Sequence, residues 1–322
     1  MRFVIVGPGA VGGTIGARLA QAGYPVALIA RGAHKDAIDE RGLEIRDPEG
    51  TATLKLPVFD RISSLEPTDD DIVITSVKTQ DAEAVLSELA AVLPATVPIV
   101  CAQNGVEGER LALRRFENVY AMCVMLPASH LHPGVVVAHS HPVAGILDLG
   151  RYPSGLDDRC VAIAVALEEA GFSSEAVPGI LRRKYAKLLA NLGNAIDAAC
   201  GPAGRGSDLY RRARLEAIAC FAQAGIEVAS DDEDRARRGE ILSIRPVDGS
   251  PRGGGSSWQS LARGTGAIET DFLNGEVVLL GRLHGVPTPV NAMLQHVARQ
   301  LAEQRRPAGS LTVGALEARL LA

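Results

Sequence analysis

Apolar positions along the chain follow two regimes that change over near Pro178. Before it, short continuous apolar runs alternate with segments of helical spacing. Arg2–Val6 (RFVIV) reads as a buried strand, residues 10–22 as a helix stopped by Gly23, and residues 26–30 (VALIA) as a second strand. Residues 43–46 and 51–58 flank Asp47-Pro48-Glu49-Gly50, the composition of a hairpin turn. Residues 71–77 (DIVITSV), 98–102 (PIVCA) and Val119–Met125 read as further strands, with a helix over 81–93 between the first two. Continuous apolar strands separated by helices predict a parallel sheet covered on both faces. Val135–Ala138 and residues 145–149 are expected to add antiparallel strands at its edge.

Beyond Pro178 the spacing is helical. Residues 180–200, 208–229, 256–283 and 291–304 each read as helix, and 245–255 (RPVDGSPRGGG) reads as a flexible loop. The expected fold class is α/β. It comprises a Rossmann dinucleotide-binding domain over residues 1–178 and an all-helical domain over 179–322, with the cleft between them as the expected site.

Gly7-Pro8-Gly9-Ala10-Val11-Gly12 joins the first strand to the first helix as a G-x-G-x-x-G sequence. That context gives the glycines separate tasks. Gly7 makes the tight turn, Gly9 lets backbone approach a pyrophosphate, and Gly12 allows close packing of helix on sheet. The helix N-terminus, at Ala10 and Val11, offers N–H groups to phosphate. The end of the second strand carries Arg31, nineteen residues after Gly12. An acidic residue there would hold a ribose 2′-hydroxyl, whereas a guanidinium suits a 2′-phosphate. The predicted cofactor is NADP(H).

Composition narrows the picture. The net charge of −5, without a long basic run, argues against nucleic acid as a partner. No apolar run approaches the roughly 20 residues a membrane span needs. Aromatics are only 4% of residues, so the core must be aliphatic. The five cysteines form no C-x-x-C pair, which predicts buried thiols in a reducing compartment rather than disulfides or zinc. Met1 is followed at once by strand-like sequence, and the expected location is cytoplasmic. His130/His132 and His139/His141 form two H-x-H pairs, each of which could chelate from one strand face. They flank the edge strands, away from the other motifs, and the expectation is no metal. The acidic run at residues 231–234 reads as a solvated turn.

Ser76-Val77-Lys78, Gln103-Asn104-Gly105, Lys187-Leu188-Leu189-Ala190-Asn191, Ser256-Ser257, Glu269-Thr270-Asp271-Phe272-Leu273-Asn274-Gly275 and the run from Gly285 to Asn291 follow in order. With the glycine loop they resemble the ketopantoate reductase (2-dehydropantoate 2-reductase) family over nearly the whole chain. The resemblance implies NADPH-dependent reduction of a small 2-keto acid to the 2-hydroxy acid, with ketopantoate first among the candidates. It implies Lys187 as general acid, and Glu269 as a second catalytic residue that orients the substrate or Lys187 and contacts the cofactor. Asn104, Asn191, Asn194 and Ser257 are then substrate ligands, with Asn104 also beside the nicotinamide. Lys78 serves the cofactor or a substrate anion.

Spacing adds independent support. Lys187 and Asn191 lie four apart and share a helix face, with Lys184 and Asn194 near it. Ser257 and Glu269 are twelve apart and could face one cleft from one helix, although Gly264 and Gly266 allow a break. The chain departs from the family pattern at Trp258 and Leu261, where Met and Asp are usual, and in Asn194, which follows Asn191 by three rather than four. The loop at 245–255 is also longer. These departures bear on the substrate, not on the cofactor. Related hydroxyacid and opine dehydrogenases, a non-catalytic NADP(H)-binding regulator, and a homodimeric assembly stay open at this level.

Overall fold

The computed structural model describes residues 1–250 and 252–321. The chain divides into two compact units, Met1–Leu181 with Asp232–Arg252, and Arg182–Asp231 with Gly253–Ala322.

The first unit is built on β1 (Arg2–Val6), β2 (Val26–Ile29), β3 (Leu43–Asp47), β4 (Gly50–Leu54), β5 (Val58–Phe59), β6 (Asp71–Thr75), β7 (Ile99–Cys101), β8 (Val119–Met125), β9 (Ala128–Ser129), β10 (Val135–Ala138) and β11 (Ile146–Arg151). Seven of these form one sheet in the order β11-β8-β7-β6-β1-β2-β5. Its strands are parallel except β11, which pairs antiparallel with β8. The connections include α1 (Ala10–Gln21), α2 (Gly32–Arg41), α3 (Thr79–Ala90), α4 (Glu107–Leu113) and α5 (Asp158–Glu169). Phe3 and Ile5 face one apolar layer and Val4 and Val6 the other. Both faces of β1 are therefore buried, which is why its sequence reads as a continuous apolar run.

Strand order reverses about β1. The chain runs outward to β2 and β5, then returns to place β6 on the other side of β1. Ligands of open α/β sheets bind at such a reversal, outside the carboxyl ends of the strands.

The edge differs from expectation in one respect. Residues 146–151 do extend the main sheet, but β10 pairs parallel with β3 and antiparallel with β9 in a separate four-stranded sheet, β4-β3-β10-β9. The β3–β4 hairpin therefore finds its partner strand almost a hundred residues away, a pairing that no local pattern encodes.

The second unit holds most of α6 (Ile180–Asn191), with α7 (Asn194–Cys200) and α8 (Asp208–Gln223). The single helix expected over 180–200 is interrupted at Leu192-Gly193. A Cβ on Gly193 would meet the Tyr210 ring at 3.3 Å, so a glycine at this point leaves room for α8. The acidic run at 231–234 is the start of α9 (Asp231–Arg238) rather than a turn. From α9 the chain rejoins the first unit as far as Arg252. Within that segment, Ile241 and Leu242 pack on a cluster containing Ala121, Cys123 and Ile146. Arg237 Nη2 donates to the fully buried Asp148 at 2.6 Å, and Arg245 N–H donates to His139 O at 2.7 Å.

The long helix expected over 256–283 is also divided. It is α10 (Ser256–Ala262), a 3-10 turn over Glu269–Phe272 and α11 (Asn274–His284), followed by α12 (Pro289–Glu303) and α13 (Val313–Leu321). Gly264 and Gly266 adopt φ of +62° and +80°, which ends α10. Ser257 and Glu269 are consequently not on one helix. Pro251, in the predicted loop, lies outside the described residues; the glycines after it have a steric purpose. A Cβ on Gly254 would stand 2.2 Å from Cγ of Trp258, so the indole needs bare backbone beside it.

Candidate active site

Four candidate segments of the first unit emerge at the carboxyl ends of adjacent parallel strands. The glycine loop follows β1, Arg31 follows β2, Ser76–Val77–Lys78 follows β6, and Asn104 follows β7. The parallel register places them there: Val6 lies opposite Ile29 on one side and Thr75 on the other.

The glycine loop has the shape its sequence implies. Gly7 has φ +84°, and a Cβ there would collide with Val77 at 2.6 Å. A Cβ on Gly12 would lie 2.0 Å from Ser76 Oγ and 2.7 Å from Gly7 O. Above Gly9, by contrast, a Cβ would meet nothing closer than His130 Cδ2 at 3.9 Å. The protein thus crowds Gly7 and Gly12 but leaves the space over Gly9 open. Gly9 is the N-cap of α1 and no side chain caps that helix end. Open space over a glycine at an uncapped helix N-terminus fits a pyrophosphate.

Ser76 and His34 fix the loop from below, and neither was singled out for this by sequence. Ser76 Oγ donates to Gly7 O at 2.8 Å. His34, on α2, bonds Pro8 O through Nε2 at 2.8 Å while its Nδ1 accepts from Gly134 N–H at 2.8 Å. Because Nδ1 accepts, the proton belongs on Nε2 and the ring is neutral. Burial lowers the pKa of His34 from its ordinary 6.5, and the Pro8 bond only partly offsets this. The buried His139 is lowered in the same direction, first by burial and then by Arg252. A group whose folded pKa lies below its unfolded value leaves the unfolded chain binding more protons as pH falls. Stability from these two rings is therefore full above about pH 6.5 and is lost on acidification below it. Melting temperature should fall between pH 7 and pH 5. His34→Gln should weaken that dependence and cost about 1–3 kcal/mol at pH 7. A variant with the wild-type acid profile would remove His34 from this account.

Three histidines of the H-x-H pairs have separate partners. His130 lies with its ring centroid 4.3 Å from that of His34, the planes tilted by 50°, and hydrogen-bonds Val135 O through Nδ1, His139 Nε2 lies 3.0 Å from Ser129 Oγ, and His141 faces Glu49 at 3.6 Å. Among the described residues, no group of three or more His, Cys, Asp or Glu is arranged to hold a metal ion.

Arg31 is the N-cap residue of α2. Its Nη2 donates to both carboxylate oxygens of Glu88, at 2.8 and 2.7 Å, and the pair is largely exposed. Both residues line an open concavity of about 630 Å³ with Arg61 and Ser63. Lys78 is half-buried at the N-cap of α3, and Asn104 is half-buried before Gly105, which turns with φ +77°.

In the second unit, the expected Lys187–Asn191 face exists. Lys187 Nζ donates to Asn191 Oδ1 at 2.7 Å, from a half-buried lysine to a buried asparagine. Asn194 is buried at the start of α7. Its Oδ1 accepts from Arg205 Nη2 at 2.5 Å, while Asp197 Oδ2 takes the Gly255 N–H at 2.9 Å. The Asp197 bond, with a longer 3.5 Å contact from Asn194 Nδ2 to Ser256 Oγ, holds the N-terminus of α10, where Ser257 is buried. Glu269 is buried on its 3-10 turn and acts electrostatically on Arg263, whose pKa burial lowers and Glu269 raises.

Two asparagines of the late motifs have internal partners. Asn274 donates to Leu192 O at 3.3 Å and to Asn291 Oδ1 at 3.0 Å. Glu216, on α8, accepts N–H bonds from Val290 and Asn291 at 2.9 and 3.0 Å. This buried network ties the interruption after α6 to α11, α12 and α8. Glu216 carries no sequence signal, since its partners lie more than seventy residues away.

Comparison with known proteins covers both halves. The family model described as ketopantoate reductase PanE/ApbA matches residues 3–154, and that for the C-terminal part of the same family matches 180–302. A 2-dehydropantoate 2-reductase of Archaeoglobus fulgidus is 30% identical over 92% of this chain and 97% of its own. The crystal structure of a PanE/ApbA family ketopantoate reductase from Ralstonia eutropha JMP134 superposes with TM-score 0.79 at 28% identity, covering 95% of this chain and all of the other. A ternary structure of D-mandelate dehydrogenase with NADH and anilino(oxo)acetate has the same fold, with TM-score 0.80 at 22% identity over 95% of this chain and all of its own.

Proposed function

The chain belongs to the ketopantoate reductase family, and from that premise we propose that it reduces a small 2-keto acid to the 2-hydroxy acid with NADPH, ketopantoate being the first substrate to test. The observation that carries the reading is the Lys187–Asn191 bond, which holds an ammonium in place on a partly buried helix face.

Gly7 to Gly12 and the N-terminus of α1 hold the pyrophosphate, and Arg31 receives the 2′-phosphate. Lys78 and Asn104 stand at neighbouring strand ends, where they serve the cofactor and the substrate. Bound NADPH supplies a hydride to the ketone carbon. Lys187 gives a proton from Nζ to the oxygen as its negative charge develops. Asn191 Oδ1 accepts one of the three Nζ protons and leaves two for other acceptors. Glu269 orients the substrate, and Asn191 and Ser257 hold its polar groups. Asn194 acts on the substrate side through the ordered start of α10. Trp258 beside Ser257 makes the substrate's shape a matter for this chain in particular.

An NADPH-oxidation screen over 2-keto acids, ketopantoate included, tests the reading. Amino-acid conjugates and 3-hydroxy acids with NADP⁺ provide the contrast. Turnover confined to the contrast set, or none at all, would sink it. Fluorescence titration should show tighter binding of NADPH than of NADH, with Arg31→Asp inverting or abolishing the preference. Equal affinities in the unaltered protein would refute the role given to Arg31.

A further inference from the structure

Glu88 stands near the end of α3, where helix geometry asks for no carboxylate. Both its oxygens are within 2.8 Å of Arg31 Nη2, so one nitrogen of the guanidinium is shared between the two oxygens of a single carboxylate. Other acids on α3 are not equivalent: Glu83, one turn and a residue earlier, is taken by Arg115. Arg31 and Glu88 share the wall of the open concavity with Arg61, Asp60 and Ser63.

We propose that Glu88 is an internal competitor for the 2′-phosphate of the cofactor and sets how strongly the protein prefers NADPH over NADH. The inference rests on the role given to Arg31 above and adds a second residue to it. A phosphate arriving at Arg31 competes with the carboxylate for the Nη2 edge of the guanidinium and has to tolerate its charge nearby. A ribose 2′-hydroxyl faces the opposite situation. It is a donor as well as an acceptor, and a carboxylate held by Arg31 offers it an oxygen. Glu88 thus penalises NADPH and accommodates NADH, narrowing a gap that Arg31 opens. Arg31 and Glu88 side chains are 62% and 47% exposed, which makes the pair easy to part. Its effect is therefore a matter of a few-fold, not of orders of magnitude.

The test is fluorescence titration of NADPH and NADH against the full chain and Glu88→Gln, Arg31→Ala and the double variant. Glu88→Gln should tighten NADPH binding about two- to fivefold, with NADH unchanged or slightly weaker. Raising the ionic strength should shrink the gain, since exposed charges are screened. The gain should disappear in the Arg31→Ala background, because no guanidinium remains to compete for. Glu88→Ala, at the same exposed position, should reproduce the NADPH gain. An unchanged NADPH-to-NADH ratio in both Glu88 variants, while Arg31→Ala lowers it, overturns the role of Glu88 and leaves that of Arg31 standing. The same gain with and without Arg31 also overturns it, as simple repulsion would then suffice. If Arg31→Ala leaves the ratio unchanged, the Arg31 reading fails and the competition falls with it.

Discussion

Replacing Lys187 with alanine is expected to lower kcat by about 10²–10⁴ while NADPH affinity stays nearly constant. The magnitude is the usual worth of a general acid. Its cause would be local: Lys187 Nζ is held by Asn191, so the variant removes one ammonium and leaves the partner asparagine on its helix. Two measurements are needed. Single-turnover kinetics should locate the loss in chemistry, and titration should find the cofactor bound as before. Lost cofactor affinity alone would make Lys187 a phosphate contact, and a nearly normal kcat would move attention to the buried Lys184 or to Lys78. The pH profile is an independent check. An ammonium must be charged to donate, so kcat for reduction should fall as pH rises through its pKa in the ternary complex. Asn191→Ala should shift that profile as well as the rate, because it removes the oxygen that orients Nζ.

Gly12→Ala should impair folding and cofactor binding together. The new methyl would lie 2.0 Å from Ser76 Oγ and 2.7 Å from Gly7 O. The hydroxyl can rotate away, but it would leave its bond to Gly7 O. The carbonyl is backbone and cannot yield without moving the loop. Overpacking of this kind costs about 1–3 kcal/mol, or several degrees of melting temperature. NADPH affinity should drop by more than tenfold, since the phosphate donors at α1 move with the helix. Adding Ser76→Ala should recover part of the stability and little of the affinity, because the Gly7 O clash remains. An alanine variant that melts and binds like the original would show that α1 does not need its present closeness to β1 and β6.

Legibility in the sequence tracks the range of the forces involved. The strands of the main sheet are readable because burial on both faces leaves uninterrupted apolar runs such as Val4–Ile5–Val6. The glycine loop is readable because Gly7 and Gly12 answer local steric demands and Gly9 keeps the space above it open. Helix breaks in the second unit are less so. Gly264 and Gly266 flag one, but at Leu192-Gly193 a single glycine within a long run of helical spacing is the whole local signal. The parallel pairing of β10 with β3 and the capping of α12 by Glu216 join residues that only the folded chain brings together. The candidate site divides in the same way. Lys187 and Asn191 stand in a segment that resembles the family's and whose four-residue spacing agrees with their bond, whereas His34 shows no sign of its hold on Pro8, nor Asn194 of its bond from Arg205.

The return of residues 232–252 to the first unit also constrains how the chain can be made. A nascent polypeptide that has just exposed Leu181 has every strand of the main sheet but lacks Arg237, whose guanidinium satisfies the wholly buried Asp148. Removing one partner of a buried ion pair is strongly destabilising. The dinucleotide-binding half therefore completes itself only after some seventy further residues have left the ribosome, most of them destined for the other unit. Cutting the gene at the apparent boundary would deliver an unfinished fold, not a minimal one.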